Sequence, residues 1–313
     1  MRRKVTILGS GNVGASTAQL VALGGSADVV LYDVIEGVPQ GKALDLAQAC
    51  PLYGSSVSVT GTNSFGETAE SDVLVVTAGF ARKPGMSRDD LAVTNAAIVR
   101  SVVAEAAKKS PEAVIIVVTN PMDTMAQLTL NVSGFAPRKV VGMGGILDSA
   151  RFRTFAAREL CVSATDVEAL VMGGHGDQMV PMPRFTTLKG ISITKLLPEE
   201  KINSLVKRTR EGGAEIVSLL QAGSAFYAPA AAINQMITSI ILDQKKVLPC
   251  SAWLDGEYGA RDVFAGVPVV LGSNGIDAIV ELELEEQERE FFENSVAAIK
   301  TLGNKILREE RMT

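Results

Sequence analysis

Through the first half of the chain, short runs of β-branched and aliphatic residues return at intervals: KVTIL, DVVLYD, VSVT, DVLVVTA, AVIIVVTN and KVVGM. Each run is too short to be a helix. Their near-unbroken Val and Ile predict strands covered on both faces, as in a parallel sheet. Between them, residues 13–24, 37–49, 88–109 and 122–132 carry helical patterns. Strand and helix alternating in this rhythm predict an α/β fold with a doubly wound parallel sheet. From about residue 146 the rhythm changes to a helix at 147–160, short strands near 167–172 and 179–186, and long helices at 199–220 and 226–243. A mixed α+β second domain is expected, dividing the chain into 1–145 and 146–313.

Composition narrows the function classes. With 313 residues, 47% of them hydrophobic and 21% charged, and a net charge of -5, the chain fits neither disorder nor a general nucleic-acid binder. No apolar segment approaches the roughly 18 residues of a membrane helix. The start, MRRKVTILGSGNVG, has the basic residues of a signal peptide, but Gly9, Ser10, Gly11 and Asn12 break the apolar run. Cys50, Cys161 and Cys250 lie far apart with no C-x-x-C pair, which predicts neither a metal site nor a disulfide framework. A cytoplasmic location, with no nucleic-acid or membrane partner, is expected. The acidic run ELELEEQERE precedes Phe292, Val296, Ile299 and Ile306 at helical spacing, which predicts a solvated terminal helix.

Gly9, Gly11 and Gly14 form G-x-G-x-x-G directly after the first strand and at the opening of a helix. In that context the pattern predicts a Rossmann-type dinucleotide site. The first glycines permit a tight turn and close approach of a pyrophosphate, and Gly14 lets helix and strand pack. Ser10, Asn12 and Val13 share the turn and the exposed helix N-terminus. Asp33 ends the next strand, about 20 residues on, where a carboxylate accepts from ribose hydroxyls and repels a 2′-phosphate. The cofactor is therefore expected to be NAD. The crevice should lie outside the carboxyl ends of the first and fourth strands.

His175 is the chain's single histidine and sits in GGHGDQMVP, on an expected turn between strands. Its ordinary pKa suits proton exchange near neutral pH. In LDSARFR, Asp148 and Arg151 share a helical face. They fit a plain i, i+3 ion pair, or two separate roles: Asp148 orienting the imidazole and Arg151 gripping a substrate carboxylate. Asn120, at the tip of the fifth strand, fits either a turn opener before Pro121 or a donor to substrate. After the fourth strand, GFARKPGMSRDDL places Arg82 and Arg88 over the same crevice. Ser87 and Asp90 there fit a capping box.

In this order, GSGNVG, LYD, TAG, SRDDL, VTNP, LDSARFR and GGHGD resemble the lactate and malate dehydrogenase family over essentially the whole chain. ARKPGMSRDDL and GVPQGKALDLAQA look like its malate-acting, lactate-dehydrogenase-like branch. The resemblance implies NAD-dependent interconversion of malate and oxaloacetate, with His175 exchanging the proton and Asp148 as its partner. It implies that Arg151 and Asn120 bind substrate, that Arg88 polarises the carbonyl when its loop closes, and that Arg82 pairs with the second carboxylate. Val118, Thr119 and Asn120 would border the cofactor, and Asn95 would contact it. A homo-oligomer, dimer or tetramer, is implied as well. A second histidine used by some relatives to bind a sugar bisphosphate is missing, so no such activation is expected. A lactate or broader 2-hydroxy-acid dehydrogenase, and a non-catalytic NAD-binding regulator, are the competing readings.

Overall fold

The computed structural model describes residues 2–80 and 88–310, with only the backbone of 88–90 and 307–310. Its first half holds six strands: β1 (Lys4–Leu8), β2 (Asp28–Tyr32), β3 (Val59–Thr62), β4 (Val73–Val76), β5 (Val114–Val117) and β6 (Val140–Gly142). All pair in parallel, in the order β3-β2-β1-β4-β5-β6. Four helices accompany them: α1 (Asn12–Gly24), α2 (Val38–Ala49), α3 (Arg88–Lys109) and α4 (Met122–Ser133).

The period of two along each strand sends alternate side chains to opposite faces. Val73 and Val75 of β4, with Val114 and Ile116 of β5, join one apolar cluster with Ala18 and Val21 of α1. Leu74, Val76, Ile115 and Val117 join another with Val99 and Val103 of α3 and Met125 and Leu128 of α4. Both faces are therefore buried, the condition under which parallel strands are stable. Deleting a central side chain such as Ile116, which has 0% exposure, by substitution to Ala should cost about 2–5 kcal/mol.

The second half adds α5 (Gly145–Glu159), α6 (Glu199–Leu220) and α7 (Tyr227–Ile241). Its strands are β7 (Val167–Glu168), β8 (Val171–Gly173), β9 (Met179–Pro181), β10 (Thr187–Leu188), β11 (Ile191–Ser192), β12 (Lys246–Asp255), β13 (Arg261–Gly272) and β14 (Gly275–Ile279). The long β12–β13 hairpin was not foreseen from sequence. Pro249 and Pro268 interrupt both of its runs, and a proline inside an apolar run argues against a strand. The two prolines face each other in the register. Neither needs an N–H toward the other there, so the ladder survives. Through β12 this antiparallel sheet joins β6, and the main sheet runs unbroken from β3 to β9. The helix α8 (Glu286–Glu310) closes the fold. Its acids are not merely solvated: Glu288 pairs with Arg184 at 2.6 Å.

Candidate active site

Strand β1 ends at Leu8, and the chain turns at Gly9, whose φ of +112° is the left-handed region that glycine tolerates. A Cβ on Gly14 would lie 1.9 Å from the Gly9 carbonyl oxygen, so that position cannot carry a side chain without displacing the turn. At Gly11 the reverse holds. An added Cβ meets nothing within 4 Å, and no side chain caps α1 at that residue. Open space beside an uncapped helix N-terminus, with no acid in the first turn, fits a pyrophosphate.

Asp33 follows β2 and is braced against this turn. Its Oδ2 accepts the Ser10 N–H and the Ser10 hydroxyl, each at 2.8 Å, and its Oδ1 accepts the Ile35 N–H at 3.1 Å. Burial pushes the carboxyl up, but these bonds outweigh it and hold Asp33 below the usual carboxylate range. Ser10 thus shapes the turn from inside, with 0% exposure, rather than presenting its hydroxyl to a ligand. Lys42, which the sequence reading did not single out, donates to the Ser10 carbonyl from α2 at 2.6 Å.

At the neighbouring strand tips, Thr119 donates to the Ala78 carbonyl at 2.8 Å, and Asn120 is exposed to the crevice. The structure sets Asn95 behind this layer. Its Oδ1 accepts the Phe80 N–H at 2.8 Å, while Nδ2 donates to the Phe80 and Asn120 carbonyls at 3.2 and 2.7 Å. With 0% exposure and both amide hydrogens engaged, Asn95 is built into the crevice wall. Arg82 and Ser87 lie outside the described residues, as does the Arg88 side chain. Arg88 itself opens α3.

The chemical end of the crevice is built by α5, which follows β6. Asp148 sits in its first turn, where the helix dipole favours an anion. Its Oδ2 lies 2.8 Å from His175 Nδ1 and its Oδ1 accepts from Arg151 Nη1 at 2.9 Å. An ionised carboxylate only accepts, so Nδ1 carries the proton of the neutral ring and Nε2 is left for a reacting group. One carboxylate of LDSARFR therefore both makes the ion pair and orients the histidine. Arg151 keeps a buried Nε with no partner among the described atoms, a donor ready for an anion. Gly212 and Gly213 of α6 lie along its side chain.

His175 occupies the turn between β8 and β9. Burial alone pushes its imidazole down, but the charge and hydrogen bond of Asp148, with a smaller contribution from Asp123, outweigh burial and the opposing Arg151, so its pKa is raised. Sequence reading missed what holds the turn. Asp123 of α4 accepts the His175 N–H at 2.8 Å and the Ser251 hydroxyl at 2.7 Å. Burial pushes this carboxyl up against those two bonds. Ser295 of α8 accepts the Gly174 N–H at 2.8 Å and donates to the Gln178 carbonyl at 2.6 Å. A buried acid after N-P and a serine on an apolar helix face were the available signals.

Residues 3–142 match the model of the lactate/malate dehydrogenase NAD-binding domain, and residues 146–310 match that of the alpha/beta C-terminal domain of the same proteins. The chain belongs to the lactate/malate dehydrogenase family. Among its relatives, the malate dehydrogenase of Desulforudis audaxviator is 56% identical, over 96% of this chain and 97% of that protein. That of Rhodopirellula baltica is 55% identical, over 96% of each. The crystal structure of Cryptosporidium parvum malate dehydrogenase superposes with a TM-score of 0.96 at 43% identity, covering 98% of this chain and 100% of that one. A lactate dehydrogenase from the same organism, complexed with lactic acid and NAD, superposes with a TM-score of 0.95 at 39% identity, covering 98% of each chain. The family fold is thus shared by both activities, and the backbone alone does not select the acid.

Proposed function

We propose that this chain catalyses the reversible, NAD-dependent oxidation of (S)-malate to oxaloacetate. The observation that carries the reading is the His175–Asp148–Arg151 constellation: a buried carboxylate behind the ring and, among the described residues, an Nε2 and a guanidinium nitrogen left without partners. The malate dehydrogenase names of relatives up to 56% identical favour malate over lactate.

Gly9, Ser10, Gly11, Asn12, Val13 and Gly14 would hold the pyrophosphate, Asp33 the ribose, and Asn95, Val118, Thr119 and Asn120 would border the nicotinamide side. NAD, when bound, takes up or returns a hydride at the substrate carbon. His175 accepts the hydroxyl proton of malate at Nε2, or returns it to the oxygen of oxaloacetate. Asp148 fixes the ring and favours its charged form. Arg151 grips the carboxylate next to the reacting carbon in a bidentate fork, and Asn120 donates to a substrate oxygen. Arg88 polarises the carbonyl and Arg82 pairs with the second carboxylate. These two arginines enter the reading from their sequence positions and the family resemblance.

The division at 1–145 and 146–313 then sets a half that holds the cofactor and lends Arg82, Arg88 and Asn120 to the substrate against a half that carries Asp148, Arg151 and His175. No helix among the described residues is long and apolar enough to cross a membrane. We place the enzyme in the cytoplasm, as a homo-oligomer, at the malate step of the tricarboxylic acid cycle. Steady-state kinetics with oxaloacetate and pyruvate, using NADH and NADPH, test the assignment. Oxaloacetate with NADH should give the highest kcat/KM, and a preference for pyruvate overturns it. Arg82→Gln should erode the preference. An unchanged ratio removes Arg82 from the selecting role.

A further inference from the structure

We propose that Ser295 is a positioning residue for the reaction, its hydroxyl fixing both ends of the turn that carries His175. The inference rests on the reading of His175 as the proton carrier. From within, a backbone bond from the Met179 N–H to the Gly176 carbonyl at 3.0 Å stiffens the side after His175, while the side before it is two glycines. Gly173 and Gly176 adopt φ values of +75° and +115°, and Gly174 between them has no side chain to pack. Glycine-rich backbone loses the most freedom on being ordered. A proton-transfer group, by contrast, must sit within a fraction of an ångström of its target.

A hydroxyl both accepts and donates, and Ser295 uses both capacities at once. It accepts the Gly174 N–H on one side of His175 and donates to the Gln178 carbonyl on the other, at 2.8 and 2.6 Å. Ser295 is 1% exposed, so water does not replace it. It stands on a face of α8 otherwise made of Phe292, Val296 and Ile299. There a polar side chain adds nothing to apolar packing. The glycine pair reads as the complement of this approach. A Cβ on Gly173 would lie 2.6 Å from Ser295 Oγ, and one on Gly174 would lie 3.0 Å from Ile299 Cγ1. Side chains at 173 and 174 would push the helix away and separate the hydroxyl from its two partners.

The remaining restraints act elsewhere on the residue. Asp148 holds the ring and Asp123 holds the His175 N–H. Ser295 alone among these three spans the turn. Among the described residues, the charged groups acting on the imidazole are Asp148 and Arg151 from α5 and Asp123 from α4. Toward the turn, α8 presents Ser295 and Ile299, neither of which titrates.

The test is Ser295→Ala, with Ser295→Cys as a variant of similar size and weaker hydrogen bonding. For Ser295→Ala, kcat for oxaloacetate reduction should fall roughly ten- to a hundredfold, while the Kd for NADH stays within about twofold. The midpoint of the kcat/KM pH profile should move to lower pH, because a looser ring loses part of the hold of Asp148 that raises its pKa. Ser295→Cys should fall between parent and Ala, and if the Ala variant does not fold, the Cys variant must show the same split. A folded variant with kcat within about twofold of parent and an unmoved midpoint overturns the proposal. So does a fall in kcat matched by an equal loss of NADH affinity. His175→Asn, run alongside, separates the two ideas. If it keeps parental kcat, the proton-carrier reading fails; if it is inactive while Ser295→Ala matches parent, only the role of Ser295 fails.

Discussion

Asp148→Asn isolates what a buried carboxylate does for His175. Asp148 is 1% exposed and makes two charge-assisted bonds, to the imidazole at 2.8 Å and to Arg151 at 2.9 Å. Asn has one acceptor oxygen for two donors. If that oxygen keeps Arg151, the amide NH2 faces Nδ1 and demands a lone pair there, which moves the ring proton to Nε2. A charge-assisted hydrogen bond contributes about 1.5–3 kcal/mol, and about 1.4 kcal/mol is one pKa unit. The imidazole should therefore titrate about one to two units lower in the variant. Oxaloacetate reduction draws a proton from His175, so its rate is carried by the charged form and fades as pH rises through the pKa. Lowering that pKa shifts the fading limb to lower pH. On the alkaline side of the parental midpoint, kcat/KM should fall about ten- to a hundredfold. Malate oxidation should suffer too, because the altered tautomer presents Nε2 as a donor where an acceptor is needed. Initial rates from NADH absorbance across the neutral range, with parent and variant side by side, read both limbs. A variant midpoint at or above the parental one refutes the argument, whatever the loss in rate.

Asp33→Ala should narrow the preference for NADH over NADPH in fluorescence titrations and lower Tm, because the buried Ser10 N–H and hydroxyl lose their acceptor. The folded pKa of Asp33 is depressed, so its stabilising contribution is present above the unfolded value of 3.8 and is lost as pH falls through the folded one. An unchanged cofactor ratio would remove Asp33 from selection. Gly14→Ala forces a Cβ to within 1.9 Å of the Gly9 carbonyl oxygen; a destabilisation of about 1–3 kcal/mol should appear in thermal melts, and an unshifted Tm would show that the turn gives way freely.

Much of the site was legible because its chemistry is local. Asp148 and Arg151 lie three residues apart on one helix, and the glycine turn follows its strand directly, so spacing alone placed them together. The restraints on His175 were not legible, since Asp123, Ser251 and Ser295 come from three distant stretches and meet only through packing. Asn95 illustrates the converse: its position in the chain marked it as relevant, but its bonds to Phe80 and Asn120 are visible only in the fold. Among the elements, α3 was foreseen at its observed limits because its apolar period is long, whereas β12 and β13 were hidden by their prolines.

The pairing of Ser251 with Gly142 carries the main sheet across the sequence change near residue 146, and α7 packs back on α1. Two halves that share one ladder and one apolar cluster have little freedom to melt apart. Calorimetry of the free protomer should record a single cooperative endotherm, with the seam in the sequence leaving no thermal trace.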